Sequence, residues 1–210
     1  TWNTSGSSYY RVVDYKTGKK DFDYCDVFNG VGLQMLLYMF ALRNSGDEML
    51  GKHPVPAGVQ YFPARVPYVS ADGKLDEMQA DKERSALWKR RGLLLRDENV
   101  LQAMEPGETP RRMCYTVKKD GSLAGDLADR EQLKLLEKYI FHILSEMVEE
   151  IASGNVEPNP YTRGSGHNAC NYCPYGSICH KDNVSGRRNY KAMKPERFWE
   201  EFEKEMSRHG

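Results

Sequence analysis

The sequence predicts an α/β fold, a mixed sheet flanked by helices, and three observations carry that expectation. Tyr9 to Lys16 alternates as a strand and ends in turn residues. A long apolar helical stretch follows it, and Leu127 to Ser153 repeats apolar residues at helical spacing. Shorter strand-like and helix-like runs alternate between these, the pattern of strands covered by helices.

The period of two in the first strand places Val12, Asp14 and Lys16 on one face and Arg11, Val13 and Tyr15 on the other. An acid and a base therefore share a face. Thr17-Gly18-Lys19-Lys20 is a turn signal, so this pair belongs at the strand's end, where a strand meets a cleft. The next element reads as a helix from Asp26, a candidate N-cap, to Asn44, apolar nearly all round through Val31, Leu33, Met35, Leu36, Leu37, Met39, Phe40, Ala41 and Leu42. Such a helix belongs in the interior. Its one strongly polar position from Val31 to Leu42, Gln34, then needs a hydrogen-bonding partner, and Tyr38 lies one turn further on the same face.

At 210 residues the chain can bury roughly 70% of its unfolded surface, enough for one domain or one with an appendage. Lysine plus arginine and aspartate plus glutamate each number 30, so the net charge is zero. A generic polyanion binder is excluded, and nucleic-acid contact must come from a local patch. No apolar run reaches membrane-spanning length and no secretory signal is visible, which predicts a cytoplasmic protein.

Thr1 to Ser8 reads as a turn without a hairpin partner before it, as if the chain began mid-fold. Val59 to Val69 alternates but carries Pro63 and Pro67, the mark of an irregular or edge strand. Asp72 to Arg91 reads as a charged helix with Met78, Leu87 and Trp88 facing inward. Its basic end, Lys89-Arg90-Arg91, either complements the helix dipole or contacts DNA. Leu93 to Leu95 and Asn99 to Met104 form a short strand and a short helix, and Met113 to Lys118 a strand before a tight turn, with Cys114 a packed thiol. His142 on the long helix has no evident partner. Residues 181–194 form a polar linker, in which Arg187-Arg188-Asn189-Tyr190 is either solvated or a phosphate contact. Pro195 to Met206 is an amphipathic helix with Phe198, Trp199 and Phe202 on its apolar side.

D-Y-K at positions 14–16 followed by Q-x-x-x-Y at 34–38 resembles the second half of the nuclease signature in the RecB-type branch of the PD-(D/E)xK superfamily. D-x-K alone is common, and a solvated Asp and Lys on a strand is the plain alternative; the second motif at this distance favours the site. The resemblance implies a restriction-endonuclease-like core. It also implies that Asp14 ligates magnesium with help from the Tyr15 main-chain carbonyl, that Lys16 orients or activates the attacking water, and that Gln34 and Tyr38 complete the site. Phosphodiester hydrolysis needs those parts: hard oxygen ligands, a positioned nucleophile and positive charge near the developing phosphorane.

Cys170, Cys173 and Cys179 form a C-x-x-C-x-x-x-x-x-C run. Three thiolates satisfy neither zinc nor an iron-sulfur cluster. His167 or His180 would complete a Cys3His zinc site, and a distant fourth cysteine would complete a 4Fe-4S cluster.

With N-V-E-P-N-P-Y at 155–161 ahead of C-x-Y-C-P-Y-x-x-x-C, and both nuclease motifs upstream, nearly the whole chain resembles the nuclease domain of the AddB family, the B components of bacterial AddAB helicase-nucleases. That resemblance implies a 4Fe-4S cluster held by Cys170, Cys173, Cys179 and an upstream cysteine. It implies a magnesium-dependent DNA exonuclease that degrades the strand in the 5'-to-3' sense during double-strand-break processing for recombinational repair, in a heterodimer with an AddA-type subunit. The first metal-binding aspartate and the fourth cysteine would lie before Thr1, so the chain is expected to be a fragment of a larger subunit, with activity that can be missing from the fragment alone. The expected division is a partial nuclease domain over 1–180, followed by linker and terminal helix over 181–210. No Walker phosphate loop occurs, so ATP hydrolysis does not reside in these residues. The alternatives are a non-catalytic, zinc-containing nucleic-acid-binding or scaffolding module, and a related motor-independent exonuclease.

Overall fold

The computed structural model describes residues 2–4, 7–51, 53–64, 73–74, 76–107, 110–163, 167–179 and 188–208. Pro67, His180, Arg187 and the first half of the expected linker, residues 181–187, lie outside them. In chain order the elements are β1 (Trp2–Thr4), β2 (Ser7–Lys16), α1 (Tyr24–Phe28), α2 (Gln34–Ser45), α3 (Asp47–Leu50), β3 (Val55–Pro63), α4 (Glu77–Leu87), β4 (Arg91–Leu95), α5 (Glu98–Met104), β5 (Tyr115–Val117), β6 (Leu123–Gly125), β7 (Leu127–Ala128), α6 (Arg130–Ala152), β8 (Tyr161–Arg163), β9 (His167–Asn168), α7 (Gly176–Cys179), β10 (Arg188–Asn189) and α8 (Pro195–Arg208). They divide into two compact units, residues 1–22 with 32–137 and residues 23–31 with 138–210.

The first unit is built on a mixed sheet in the order β1-β2-β3-β4-β7. β2 and β3 run parallel, β1 pairs antiparallel with β2, β4 antiparallel with β3, and β7 parallel with β4. The expected α/β class with a mixed sheet and flanking helices is what forms. Trp2–Thr4 supplies the hairpin partner that seemed missing, so Thr1 to Ser8 is not all turn.

β3 is the central strand rather than an irregular edge, and Ala57, Val59, Gln60 and Tyr61 are all buried. Pro63 does not contradict this, because it is the last residue of the strand, where proline's missing N–H costs the ladder least. Gln60, buried without exposure, bonds at both ends of its amide: its oxygen accepts from Arg11 Nη1 at 2.7 Å and its nitrogen reaches Met113 Sδ at 3.3 Å. Gly92 stands opposite Gln60, where an added Cβ would lie 2.0 Å from the Val59 carbonyl oxygen.

The single helix expected from Asp26 to Asn44 is two. Gly30 and Gly32 take positive φ values of 77° and 71°, which glycine tolerates and which end α1 before α2 begins. Asp23, not Asp26, is the N-cap of α1, accepting from the Asp26 N–H at 3.0 Å. α4 is shorter than expected and buries none of its residues; Met78 is 80% exposed, and a capping box between Asp76 and Gln79 holds the helix start. Arg91 belongs to β4, so Lys89-Arg90-Arg91 is the head of a strand and not a helix end.

In the second unit, α8 inserts Phe198 and Phe202, both without exposure, among Tyr24, Phe28 and Tyr139. The Tyr139 hydroxyl donates to the Phe28 carbonyl at 2.6 Å. A three-stranded sheet, β10-β8-β9, includes the strands just before the cysteine segment, and Arg163 on β8 reaches Asp23 Oδ2 at 2.7 Å and Asp26 Oδ1 at 3.4 Å. His142 pairs within its own helix, with Glu146 at 3.4 Å.

Candidate active site

β2 and β3 are parallel neighbours, so the segment between them must return the chain across the sheet. α2 makes that return and therefore starts at the end of the sheet where β2 finishes. This is the topological reason that Gln34 and Tyr38, in the first turns of α2, share an end of the sheet with Asp14 and Lys16. The Tyr10 hydroxyl donates to the Met39 carbonyl at 2.6 Å, which fixes α2 on the face of β2 that carries Tyr10, Val12, Asp14 and Lys16.

Lys16 Nζ lies 2.5 Å from Asp14 Oδ2, and both side chains keep partial access to solvent, 38% and 28%. Across the ladders, Asp14 is in register with Tyr61 and Tyr61 with Arg91. Paired residues share a face, so Asp14, Tyr61 and Arg91 form one row over three strands. Tyr61 is 7% exposed, and burial, followed by the neighbouring Asp14 charge, raises its pKa. Arg91 Nε stands 3.4 Å from Asp21 Oδ1 on the loop that leaves β2.

Gln34 is exposed rather than buried: Met35, Leu36, Met39 and Phe40 form the buried stripe of α2, while Gln34 and Tyr38 line its open side. Its partner is Tyr38, whose hydroxyl accepts from Gln34 Nε2 at 3.0 Å. A helix with apolar residues on all sides needs only one stripe buried, so hydrophobicity all round did not determine which side faced the core.

The donor set at Asp14 suits a hard cation. It offers one carboxylate at a strand end, a hard oxygen donor of the kind a divalent cation takes, with Lys16 as its present partner. Magnesium bound there would polarise a phosphate oxygen and stabilise developing negative charge. Lys16 brings a cation to within hydrogen-bonding distance of the same carboxylate. A cleft of 320 Å³ lined by Arg43, His53, Val55, Leu95 and Arg130 lies at the other end of the sheet, where β3 starts, and is not part of this site.

Cys170 is half-buried, and Cys173 and Cys179 are exposed free thiols. Among the described residues, no group of three or more His, Cys, Asp or Glu side chains converges as a metal site. The segment is locally turned: the Cys173 N–H donates to the Cys170 carbonyl at 3.3 Å, and the Cys179 N–H to the Tyr175 carbonyl at 2.8 Å. Three soft thiolates in one short segment match the donor chemistry of zinc or an iron-sulfur cluster, one ligand short of either.

Tyr61 and Arg91 were not legible as site residues from the sequence. The basic cluster at 89–91 was the available signal, but its assignment to a helix end hid it, and the prolines disguised the strand that carries Tyr61.

A mixed α/β sheet with an acid and a lysine two residues apart at a strand end, followed by a helix whose first turns carry a glutamine and a tyrosine joined to each other on its open side, matches the class of fold expected of a nuclease. The chain belongs to the PD-(D/E)XK nuclease superfamily, which it matches over residues 3–180. Among curated relatives, it is 36% identical over 194 residues to the B subunit of the ATP-dependent helicase/deoxyribonuclease of Acetivibrio thermocellus, covering 90% of this chain and 17% of that protein. The protein of the same name from Clostridium kluyveri is 31% identical over 207 residues (95% and 18%), and that of Moorella thermoacetica 35% over 201 residues (93% and 17%). The chain thus spans less than a fifth of the length of these relatives. Among the described residues, no helix is long and apolar enough to cross a membrane.

Proposed function

We propose that this chain is the nuclease domain of a B-type helicase-nuclease subunit, a magnesium-dependent deoxyribonuclease that degrades a single strand of DNA delivered by an ATP-driven motor. The observation that carries the reading is the Asp14–Lys16 pair at 2.5 Å at the end of β2, with Gln34 and Tyr38 at the start of the crossover helix. Superfamily membership and the names of the relatives support it. Asp14, with the Tyr15 carbonyl, would hold magnesium. Lys16 orients the attacking water and carries positive charge toward the phosphorane. Gln34 and Tyr38, joined to each other, position the scissile strand.

The same reading extends to a partner of AddA type that supplies the motor and a second nuclease. It further extends to the 5'-to-3' sense of degradation, to the processing of double-strand breaks for recombinational repair, and to work in the cytoplasm. Cys170, Cys173 and Cys179 hold a 4Fe-4S cluster with a fourth cysteine from outside this chain. The division into a nuclease domain over 1–180 and a terminal linker and helix over 181–210 belongs to the same proposal.

The test is strand-specific cleavage and unwinding by the full-length protein with its partner. Asp14→Ala should abolish cleavage of one strand and leave unwinding intact. Cleavage of that strand at the wild-type rate would overturn the assignment.

A further inference from the structure

The face of β2 and β3 opposite Asp14 carries a second arrangement that the nuclease signature does not use. Tyr15 points there, 69% exposed, and its ring meets Phe62 edge to face with centroids 5.7 Å apart. The guanidinium carbon of Arg90 lies 4.3 Å from the Phe62 centroid, and that of Arg11 5.6 Å from it. Two cations thus share one aromatic ring. Neither is paired with a carboxylate among the described residues, and Arg11, its pKa lowered by burial and then by Arg90, bonds instead to the neutral Gln60. A buried ion pair would be self-sufficient; two unneutralised guanidinia beside an open tyrosine ring are complementary to a flat anionic ligand.

The placement adds to this. β4 is antiparallel to β3, so its head, Lys89-Arg90-Arg91, lies at the same end of the sheet as Asp14-Tyr15-Lys16 and the loop residues Lys19 and Lys20. In a chain of zero net charge, two separate segments therefore bring their cations to one edge. Asp21, the acid in that loop, is shared between Lys19 at 3.4 Å and Arg91 at 3.4 Å. Consecutive residues of a strand point to opposite faces, so Asp14 and Tyr15 address the two sides of the same sheet end, about 3.3 Å apart along the strand.

We infer that Tyr15, Phe62 and Arg90 form a stacking platform for the bases of single-stranded DNA, positioning the strand as it crosses the sheet end so that the phosphodiester beside a stacked base reaches Asp14 and Lys16. The inference rests on the nuclease reading for the identity of the ligand, and it assigns to the Tyr15 side chain a role separate from its main-chain carbonyl. Arg90, half-buried over Phe62, supplies positive charge toward a neighbouring phosphate, while Tyr15 offers an open ring. Stacking of this kind is tolerant of sequence, as degradation of arbitrary DNA requires.

The test uses the full-length protein and single-stranded oligonucleotides with 2-aminopurine at successive positions, bound in EDTA so that no cleavage occurs. Wild type should quench fluorescence at positions that neighbour the scissile phosphate. Tyr15→Ala should lose that quenching while Tyr15→Phe keeps it, and the KM for oligonucleotide cleavage should rise roughly 5-fold or more in Tyr15→Ala. Arg90→Ala should weaken the same quenching without moving it along the strand. An unchanged quenching profile in both Tyr15→Ala and Arg90→Ala would overturn the platform even if Asp14→Ala had abolished cleavage. Loss of quenching in Tyr15→Ala, beside normal cleavage by Asp14→Ala, would keep the platform and remove the nuclease assignment.

Discussion

Asp14 and Tyr61 stand opposite each other in the parallel ladder between β2 and β3, and the charge of one acts on the hydroxyl of the other. Tyr61 keeps its proton to higher pH than a free tyrosine because it is buried and because a tyrosinate there would face the Asp14 carboxylate. Removing that charge in Asp14→Asn should lower the ionisation pH of Tyr61, read by ultraviolet difference titration against a Tyr61→Phe control. The sign for stability follows. A folded-state pKa above the unfolded value of about 10 means stability is lost as pH climbs past that value, more steeply in wild type than in Tyr61→Phe.

Asp14 and Lys16 touch, but their roles separate by charge. Asp14→Ala should remove magnesium affinity together with cleavage, since a hard anionic ligand is lost. Lys16→Ala should suppress cleavage while leaving most of the metal affinity measured by calorimetry. Equal loss of affinity in both variants would show Lys16 acting on the metal site and not on the nucleophile.

Asp23 caps α1 and pairs with Arg163 at 2.7 Å. Burial opposes its ionisation, but the Asp26 N–H and Arg163 outweigh burial and lower its pKa. Its contribution is therefore complete above the unfolded carboxylate value of about 4 and disappears as pH falls through the folded value. Asp23→Asn keeps a capping oxygen and loses the charge. It should cost about 1 kcal/mol at neutral pH and nothing in strong acid, measured by denaturant unfolding across the acid range.

Gly92 pairs with Gln60 across the β3–β4 ladder, at φ 151°. Gly92→Ala would drive a methyl into the Val59 carbonyl, and the loss should be roughly 3 kcal/mol with a visible shift of the denaturation midpoint. A change below about 0.5 kcal/mol would mean the two strands separate more easily than their register implies.

For the cysteine segment, protein purified without oxygen and containing the sequence upstream of this chain should carry about four iron atoms, and Cys173→Ser should lose them along with resistance to proteolysis. One zinc and no iron would favour the Cys3His module instead.

The D-Y-K and Q-x-x-x-Y motifs can be read from residue order because each is a set of residue types at short spacing. The alternation around Asp14 was equally legible, since a strand's period is set by backbone geometry. The burial of Phe198 and Phe202 on the last helix followed from its apolar stripe. Less legible was any feature decided by what lies across a ladder. Pro63 looked like an edge marker until the strand proved to end on it, and Gln34 looked buried until the helix turned that side outward.

The acid-base pair, its place at a strand end, the α/β class and the thiolate run could all be read from residue order, because each is a local consequence of side-chain chemistry and backbone period. Folding was needed to extend the Asp14 row through Tyr61 and Arg91, to lay Arg90 over Phe62, and to put the basic cluster at the head of β4. Those are relations between residues brought together by register, and register is set by the packing of whole strands rather than by any one of them.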